Sequence, residues 1–296
     1  MTGRTDRRRV RADRSSGRRS SGGRSSGTPG LRWRPLRALG SPRLLTPARA
    51  GGLLGMLAAG LLLKLVTGTA PFGLARIDQP TLQWTASDAV LAAVAVPLGS
   101  NVFEVDTAPI EASLRRLPTV ADASVTVSLP STLMVRVTER TPILVWRVGD
   151  SRFLVDAAGV LFASADPGSA GAASLPTVID DRTMSATLLA VGGTLDPVDL
   201  DVATRLASLV PADIGSAASH LAVHVDDESG FTIRGASEHW TAIFGWYSTT
   251  LRSPDIIPSQ VQLLRSLLSG REDTIDQVIL AGATTGTYTV RATPKP

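Results

Sequence analysis

The stretch PTVADASVTVSLPSTLMVRVTERTPILVW, from Pro118 to Trp146, decides the fold of this chain. Apolar residues recur at every second position: Val125, Val127 and Leu129, then Leu133, Val135 and Val137. A period of two puts one set of side chains on a buried sheet face. Thr126, Ser128, Arg136 and Thr138 fall between them and suit a wet face, with Met134 the exception. Pro130 and Ser131 interrupt the run. Proline fixes φ and lacks an N–H, so the pair marks the turn of a β-hairpin.

Upstream of the hairpin the period changes. SDAVLAAV, Ser87 to Val94, reads as a short helix with Thr85 or Ser87 as its N-cap. PLGSNVFEVD follows, and Gly99 and Asn101 suit a turn that returns Val102, Phe103 and Val105 to the core. A second helix is expected from Thr107, capped by its hydroxyl, with Ile110, Leu114 and Leu117 as one stripe. Glu111 and Arg115 stand at i,i+4 and suit a pair. RIDQPTLQW, Arg76 to Trp84, reads as a first strand anchored by Ile77, Leu82 and Trp84, with Pro80 arguing for an edge. Residues 75–142 therefore read as a βααββ module, three strands covered by two helices.

The wording of this region is more specific than its pattern. It resembles the hairpin that closes the POTRA domain of the FtsQ/DivIB cell-division family. Pro118, Val120, Ala123, Val125, Pro130, Leu133, Val135, Val137, Glu139, Arg140, Pro142 and Trp146 carry the match. Ser128 departs from it, standing where a basic residue is usual.

Downstream, residues 143–296 read as a β-rich domain. ILVWRV, RFLVD and VLFA are short strands separated by turns, and LPTVID is another. Ser164 to Ser174 reads as a loop. Helices are expected over Val198–Val210, with Leu206, Leu209 and Val210 on one side, and over Pro258–Gly270, with Val261, Leu264 and Leu268 inward. LAVHV and FTIRG form a second hairpin, TAIFGW a strand, and IDQVILAG and TYTVRA close the chain. The family usually has a lysine before its last helix; Gln260 and Gln262 stand there instead. The fold class is α+β: one transmembrane helix, a small POTRA-type domain and a mixed β-rich domain with two helices.

Charge is unevenly placed. The 296 residues carry a net +4 and no cysteine. Residues 1–50 hold fourteen arginines against two aspartates, and the remainder holds sixteen basic against twenty-four acidic side chains. The high pI belongs to the tail, which disfavours a nucleic-acid function for the acidic body. The Gly/Ser/Arg tail has too little apolar surface to order itself. It reads either as a nucleic-acid arm or as a solvated segment that sets topology and touches anionic lipid. Leu31 to Leu45 reads as a short amphipathic piece on a membrane surface. GGLLGMLAAGLLLKLVTGTAPFGL, residues 51–74, reads as one membrane span with Lys64 near its outer third. A cleaved signal peptide is the alternative, and the fifty residues ahead of the run argue against it. The arginine-rich side is expected in the cytoplasm and the rest outside.

Catalysis is not expected. His220, His224 and His239 are the three histidines, and His224 is expected to face solvent. The chain has no HExxH, GxSxG, P-loop or GxGxxG. With no cysteine, thiolate metal sites are excluded, and no cofactor or metal is expected. Glu139 beside Arg140 suits a catalytic carboxylate less well than a structural or interface ion pair. The resemblance implies a bitopic scaffold of the bacterial divisome, concentrated at the septum. It would bind FtsB- and FtsL-like partners and help position the FtsW and FtsI synthase pair. The resemblance also implies that a partner strand adds near Val278, Ile279, Leu280 and Tyr288, for which ordinary core or edge packing is the alternative. Glu139, Arg140 and Pro142 are the POTRA signature. Other readings are a POTRA-bearing component of protein translocation or envelope assembly, and a membrane-anchored hydrolase.

Overall fold

The computed structural model describes residues 47–67, 72–165, 170–236 and 239–291. The basic tail up to residue 46, with the amphipathic piece Leu31–Leu45, lies outside them, as does part of the loop expected after Ser164.

Helix α1 runs over Pro47–Thr67. Among the described residues no helix is long and apolar enough to cross a membrane. The span expected over residues 51–74 also overreaches at its end. The Leu74 side chain is buried, and its backbone bonds Ser100 and Gly99. Gly73 and Leu74 therefore belong to the small module that follows.

That module contains β1 (Arg76–Asp78), α2 (Ser87–Val94), α3 (Thr107–Leu114), β2 (Val120–Ser128) and β3 (Thr132–Glu139), with sheet order β1-β3-β2. β2 and β3 are antiparallel and pair Val125 with Val135 and Val127 with Leu133; β1 lies parallel to β3. Val125, Leu133 and Val135 join Val90, Val94, Ile110 and Leu114 in one buried cluster. The predicted stripe and the predicted alternation thus meet face to face. The departures are local. Leu129 is exposed because β2 ends at Ser128 and leaves it in the turn. Only Arg76–Asp78 of the expected first strand pairs. Phe103 is half-exposed and rests on Phe72, with ring centroids 5.2 Å apart. α3 is capped by Asp106, whose carboxylate accepts from the Ala108 N–H, and not by Thr107. α2 has Ala86 at its N-cap and no side-chain cap at all.

The remainder folds on one nine-stranded mixed sheet. In chain order its elements are β4 (Pro142–Val148), β5 (Ser151–Asp156), β6 (Leu161–Ser164), α4 (Ala170–Ala173), β7 (Thr177–Asp180), α5 (Ser185–Leu188), α6 (Pro197–Ala207), α7 (Pro211–Ile214), β8 (Leu221–Asp226), β9 (Gly230–Gly235), β10 (Thr241–Gly245), α8 (Ile257–Leu268), β11 (Ile275–Ile279) and β12 (Thr287–Val290). The strands lie in the order β12-β11-β10-β9-β8-β7-β4-β5-β6. β4–β7, β7–β8 and β10–β11 are parallel, and the other neighbours are antiparallel. α6 and α8 bury Val202, Leu206, Leu264 and Leu268 against Trp146, Val178, Val225, Phe231 and Val278. A smaller cluster of Val145, Leu154 and Phe162 occupies the other face near β6. α6 stops at Ala207, so Leu209 and Val210 fall outside it. His224 does not stand in solvent: it is largely buried, with Nδ1 3.1 Å from Asp181 Oδ2.

One polar cluster sits inside this apolar layer. The fully buried Asp180 accepts from Trp146 Nε1 at 3.0 Å, from the Ser185 hydroxyl at 2.8 Å and from the Arg182 guanidinium at 2.8 Å. Arg182 also holds Asp199 at 2.6 Å. Burial alone would raise the Asp180 carboxyl, but the bonds from Arg182 and Ser185 prevail and hold it below the usual range. For Asp199 burial prevails and pushes it up, despite the same arginine. Asp180 is therefore the firm anion that ties β7 to β4 and α6. Replacing it with alanine leaves the Arg182 guanidinium half-paired and three other donors without their acceptor: Trp146 Nε1, the Ser185 hydroxyl and the Arg182 backbone N–H. Asp180→Ala should cost about 3 kcal/mol or more of unfolding free energy, measured by urea denaturation.

Candidate protein-docking interface

The signature residues Glu139, Arg140 and Pro142 lie where the chain leaves the three-stranded sheet and enters the nine-stranded one. Successive side chains on an extended strand point to opposite sides, and Glu139 and Arg140 use that alternation to hold two different structures. The Glu139 carboxylate accepts the N–H groups of Gln83, Trp84 and Thr85 at 2.6, 2.7 and 2.7 Å, and the Thr85 hydroxyl at 2.8 Å. This bears on the uncapped α2: of the two residues expected to cap it, Thr85 has its hydroxyl committed to Glu139 and Thr119, and Ser87 lies inside the helix. Arg140 bonds the Pro118 carbonyl at 2.9 Å and Asp156 at 2.6 Å. Asp156 in turn accepts from the N–H groups of Ala158 and Val160. Pro142 opens β4 opposite Asp156. Arg140 thus bridges the two sheets, while Glu139 fixes the segment that carries Trp84 and Pro142 starts the larger sheet.

Trp84 follows the same route. It was expected to anchor the first strand, but its ring packs on Phe162 of the larger sheet, edge-on at 6.3 Å. It lies so close to Gly171 that a Cβ there would come within 2.8 Å of the indole. A groove of about 600 Å³ follows this joint, lined by Gln83, Trp84, Thr119, Phe162 and Val191 among others. None of its lining residues is ionisable. Among the described residues no three His, Asp or Glu gather to hold a metal ion.

The four positions expected to take a partner strand separate in the structure. Val278 and Leu280 are buried core residues, whereas Ile279 and Tyr288 are well exposed. β11 is an interior strand, bonded to β10 on one side and β12 on the other. The open backbone therefore belongs to β12, all four of whose residues are exposed. The Arg291 N–H bonds the Thr274 carbonyl. By the two-residue alternation of an antiparallel strand, Tyr288 and Val290 turn their own backbone groups outward. Their side chains share the face of Val278 and Ile275, their partners in register, and so carry the apolar core face to the rim of the sheet.

The rim is held from behind by residues that sequence reasoning did not single out for this work. The carbonyl of Leu280 accepts from Arg252 and from Gln260 Nε2 at 3.0 Å. Gln260 is fully buried and accepts from the Tyr247 hydroxyl at 2.7 Å, while Arg252 lies over the Tyr247 ring at 5.1 Å. The one available signal was the replacement of the family's usual lysine by glutamine: an amide can donate and accept in this buried place, which an ammonium cannot.

With this geometry in hand, comparison with known proteins gives a consistent result. Residues 81–140 match the family model described as POTRA domain, FtsQ-type. The cell division protein FtsQ of Streptomyces venezuelae is 34% identical over 161 residues, 54% of this chain and 56% of that protein. FtsQ of Mycobacteroides abscessus is 32% identical over 130 residues, 43% of this chain and 40% of its own length. FtsQ of Chloroflexus aurantiacus is 29% identical over 189 residues, 63% and 64%. The chain spans about half the length of the curated relatives it matches. The resemblance read from the hairpin holds: residues 81–140 match the FtsQ-type POTRA domain, and the chain is similar to FtsQ cell division proteins. Those relatives are named for cell division and not for a reaction.

The Glu139 joint predicts a pH signature. Burial would raise this carboxyl, but its four donors outweigh burial and hold it below the ordinary value. A depressed folded-state pKa means stability that is fully present above the unfolded value, about 4.3, and lost as pH falls through the folded one. Glu139→Gln should cost about 1–2 kcal/mol at neutral pH. The gap between variant and parent, read by denaturation across the acid range, should narrow below about pH 4.

Proposed function

We propose that this chain is a membrane-tethered scaffold of the bacterial division site that receives a partner's β-strand along β12. The observation that carries the reading is the rim of the larger sheet. Among the described residues β12 has a strand on one side only, Tyr288 and Val290 aim their backbone groups away from it, and their side chains expose apolar surface beside the gap. An extended segment laid there would satisfy those N–H and C=O groups and cover the apolar fringe, the usual economy of strand addition. The relationship to FtsQ proteins supports small bitopic partners of the FtsB and FtsL kind as the strand donors, and FtsW and FtsI as the synthase pair that the assembly positions. It also supports a place at the septal membrane.

Helix α1 is the proposed tether. Leu53, Leu54, Met56, Leu57, Leu61, Leu62, Leu63 and Leu65 stand exposed around it, an arrangement that suits lipid better than water. The arginine-rich residues before it favour the cytoplasmic side, which places both sheets outside. The chemistry needed is that of holding and aligning other chains, and the POTRA module fastened through Glu139 and Arg140 gives the receiving sheet a fixed base.

The test uses proline, which removes one donor. At Tyr288 or Val290 it removes an outward N–H and leaves the ladder to β11 intact. Affinity of the full chain for FtsB- and FtsL-like partners should fall about tenfold or more, roughly 1.4 kcal/mol for each factor of ten. Unfolding stability should stay within about 0.5 kcal/mol. Proline at Ile279, inside the sheet, should instead damage the fold. Unchanged binding by Tyr288→Pro and Val290→Pro would count against this rim.

A further inference from the structure

The smaller sheet has an edge of its own. β2 is the outermost strand of the order β1-β3-β2, and at nine residues it is far longer than β1. Among the described residues no strand pairs with its outer side. Its middle, Ala123–Ser128, reads ASVTVS: uncharged, free of proline and rich in β-branched residues. Such an edge pairs readily with another chain unless something blocks it.

Side chains block it. The N–H of Val125 donates to Glu111 Oε1 at 2.9 Å, and the carbonyl of Ala123 accepts from the Arg115 guanidinium. In an antiparallel strand the N–H and C=O of one residue point the same way, so Ala123 and Val125, and by alternation Val127, face outward. Glu111 and Arg115 thus occupy the two backbone groups that an incoming strand would need first. One supplies an acceptor and the other a donor, as a neighbouring backbone would. The two side chains are joined to each other at 3.4 Å, and Arg115 also reaches Asp122 at 2.8 Å. This stopper is partly exposed, since Arg115 and Asp122 keep 43% and 70% of their side-chain surface. Exposed ion pairs are weak, so the stopper is easily displaced.

We infer that β2 is a second strand-accepting edge, that its occupant is the β2 of a second copy of this chain, and that Glu111 and Arg115 keep it closed. The argument for a second copy is self-complementarity. Antiparallel pairing about Val125 sets Val125 against its own counterpart, Ala123 against Val127, and Ser124 against Thr126. Every apolar side chain then meets an apolar one on the core face, and every hydroxyl meets a hydroxyl on the wet face. That is the pattern an isologous twofold interface requires. The pairing would join two three-stranded sheets and leave β12 on both copies free, so it does not depend on the function proposed for that rim.

The full chain in detergent tests this with Glu111→Ala combined with Arg115→Ala, followed by sedimentation and amide hydrogen exchange over a range of concentrations. The parent should stay monomeric, with its Val125 amide protected by Glu111 at every concentration. The double variant should lose that protection when dilute, then dimerise and regain it as concentration rises. Glu111→Gln keeps an acceptor oxygen for Val125 and should stay monomeric. If the double variant does not fold, Glu111→Ala alone frees the Val125 N–H and should dimerise in the same way. A folded variant that remains monomeric throughout overturns the inference. So does a dimer whose Val125 amide stays unprotected, or one formed only with a different chain.

Discussion

The structure depends on a carboxylate and a guanidinium at consecutive positions. Glu139 ends the last strand of the small sheet, and Arg140 is the next residue. Because neighbouring side chains diverge, the first reaches back to three backbone N–H groups that precede α2, and the second reaches across to Pro118 and Asp156. Four donors on one carboxylate do two things at once. They satisfy N–H groups of the bend ahead of α2 that would otherwise be unpaired, and they fix where Trp84 leaves the small sheet for Phe162. The glutamate and arginine convert a chain crossing into a joint.

Once the joint is fixed, the management of sheet edges becomes the organising theme. Two open sheets present four edges. β1 is short, with three residues, which is one way to blunt an edge, and β6 and β12 have four each. β2 is long but stoppered by Glu111 and Arg115. β12 alone combines exposed residues, outward backbone groups and an apolar fringe. It is also braced from behind, because Arg252 and Gln260 grip the Leu280 carbonyl where β11 ends. For the proposed strand addition a rim held still beforehand is an advantage, since ordering it at the moment of binding would cost affinity.

Much of this was legible in the residues. The alternation from Val125 to Val137 marked the hairpin and its buried face, and Ile110 with Leu114 marked the helix stripe that covers it. The spans of α2 and of the hairpin strands in the larger sheet followed from the same periodicities. What remained hidden was long-range. Thr85 looks like a cap because capping is local, yet a glutamate fifty-four positions away claims its hydroxyl. Trp84 reads as a strand anchor because its role depends on Phe162 in another sheet. Of the four positions expected at the rim, Tyr288 lies on the outermost strand while Val278 and Leu280 are core, because periodicity tells which face a residue takes and not which strand is outermost. The chain also enters its small module sooner than hydropathy suggests, since a buried leucine such as Leu74 looks the same in lipid and in a protein core.

The central claim is that Glu139 and Arg140 fasten the two sheets into a single platform. Residual dipolar couplings of backbone amides, collected separately for β2–β3 and for β4–β12, test it most directly. The account predicts one alignment tensor, equal in magnitude and orientation for both sheets. Two tensors that differ in magnitude or direction would mean that the sheets move independently about the joint, and would contradict it.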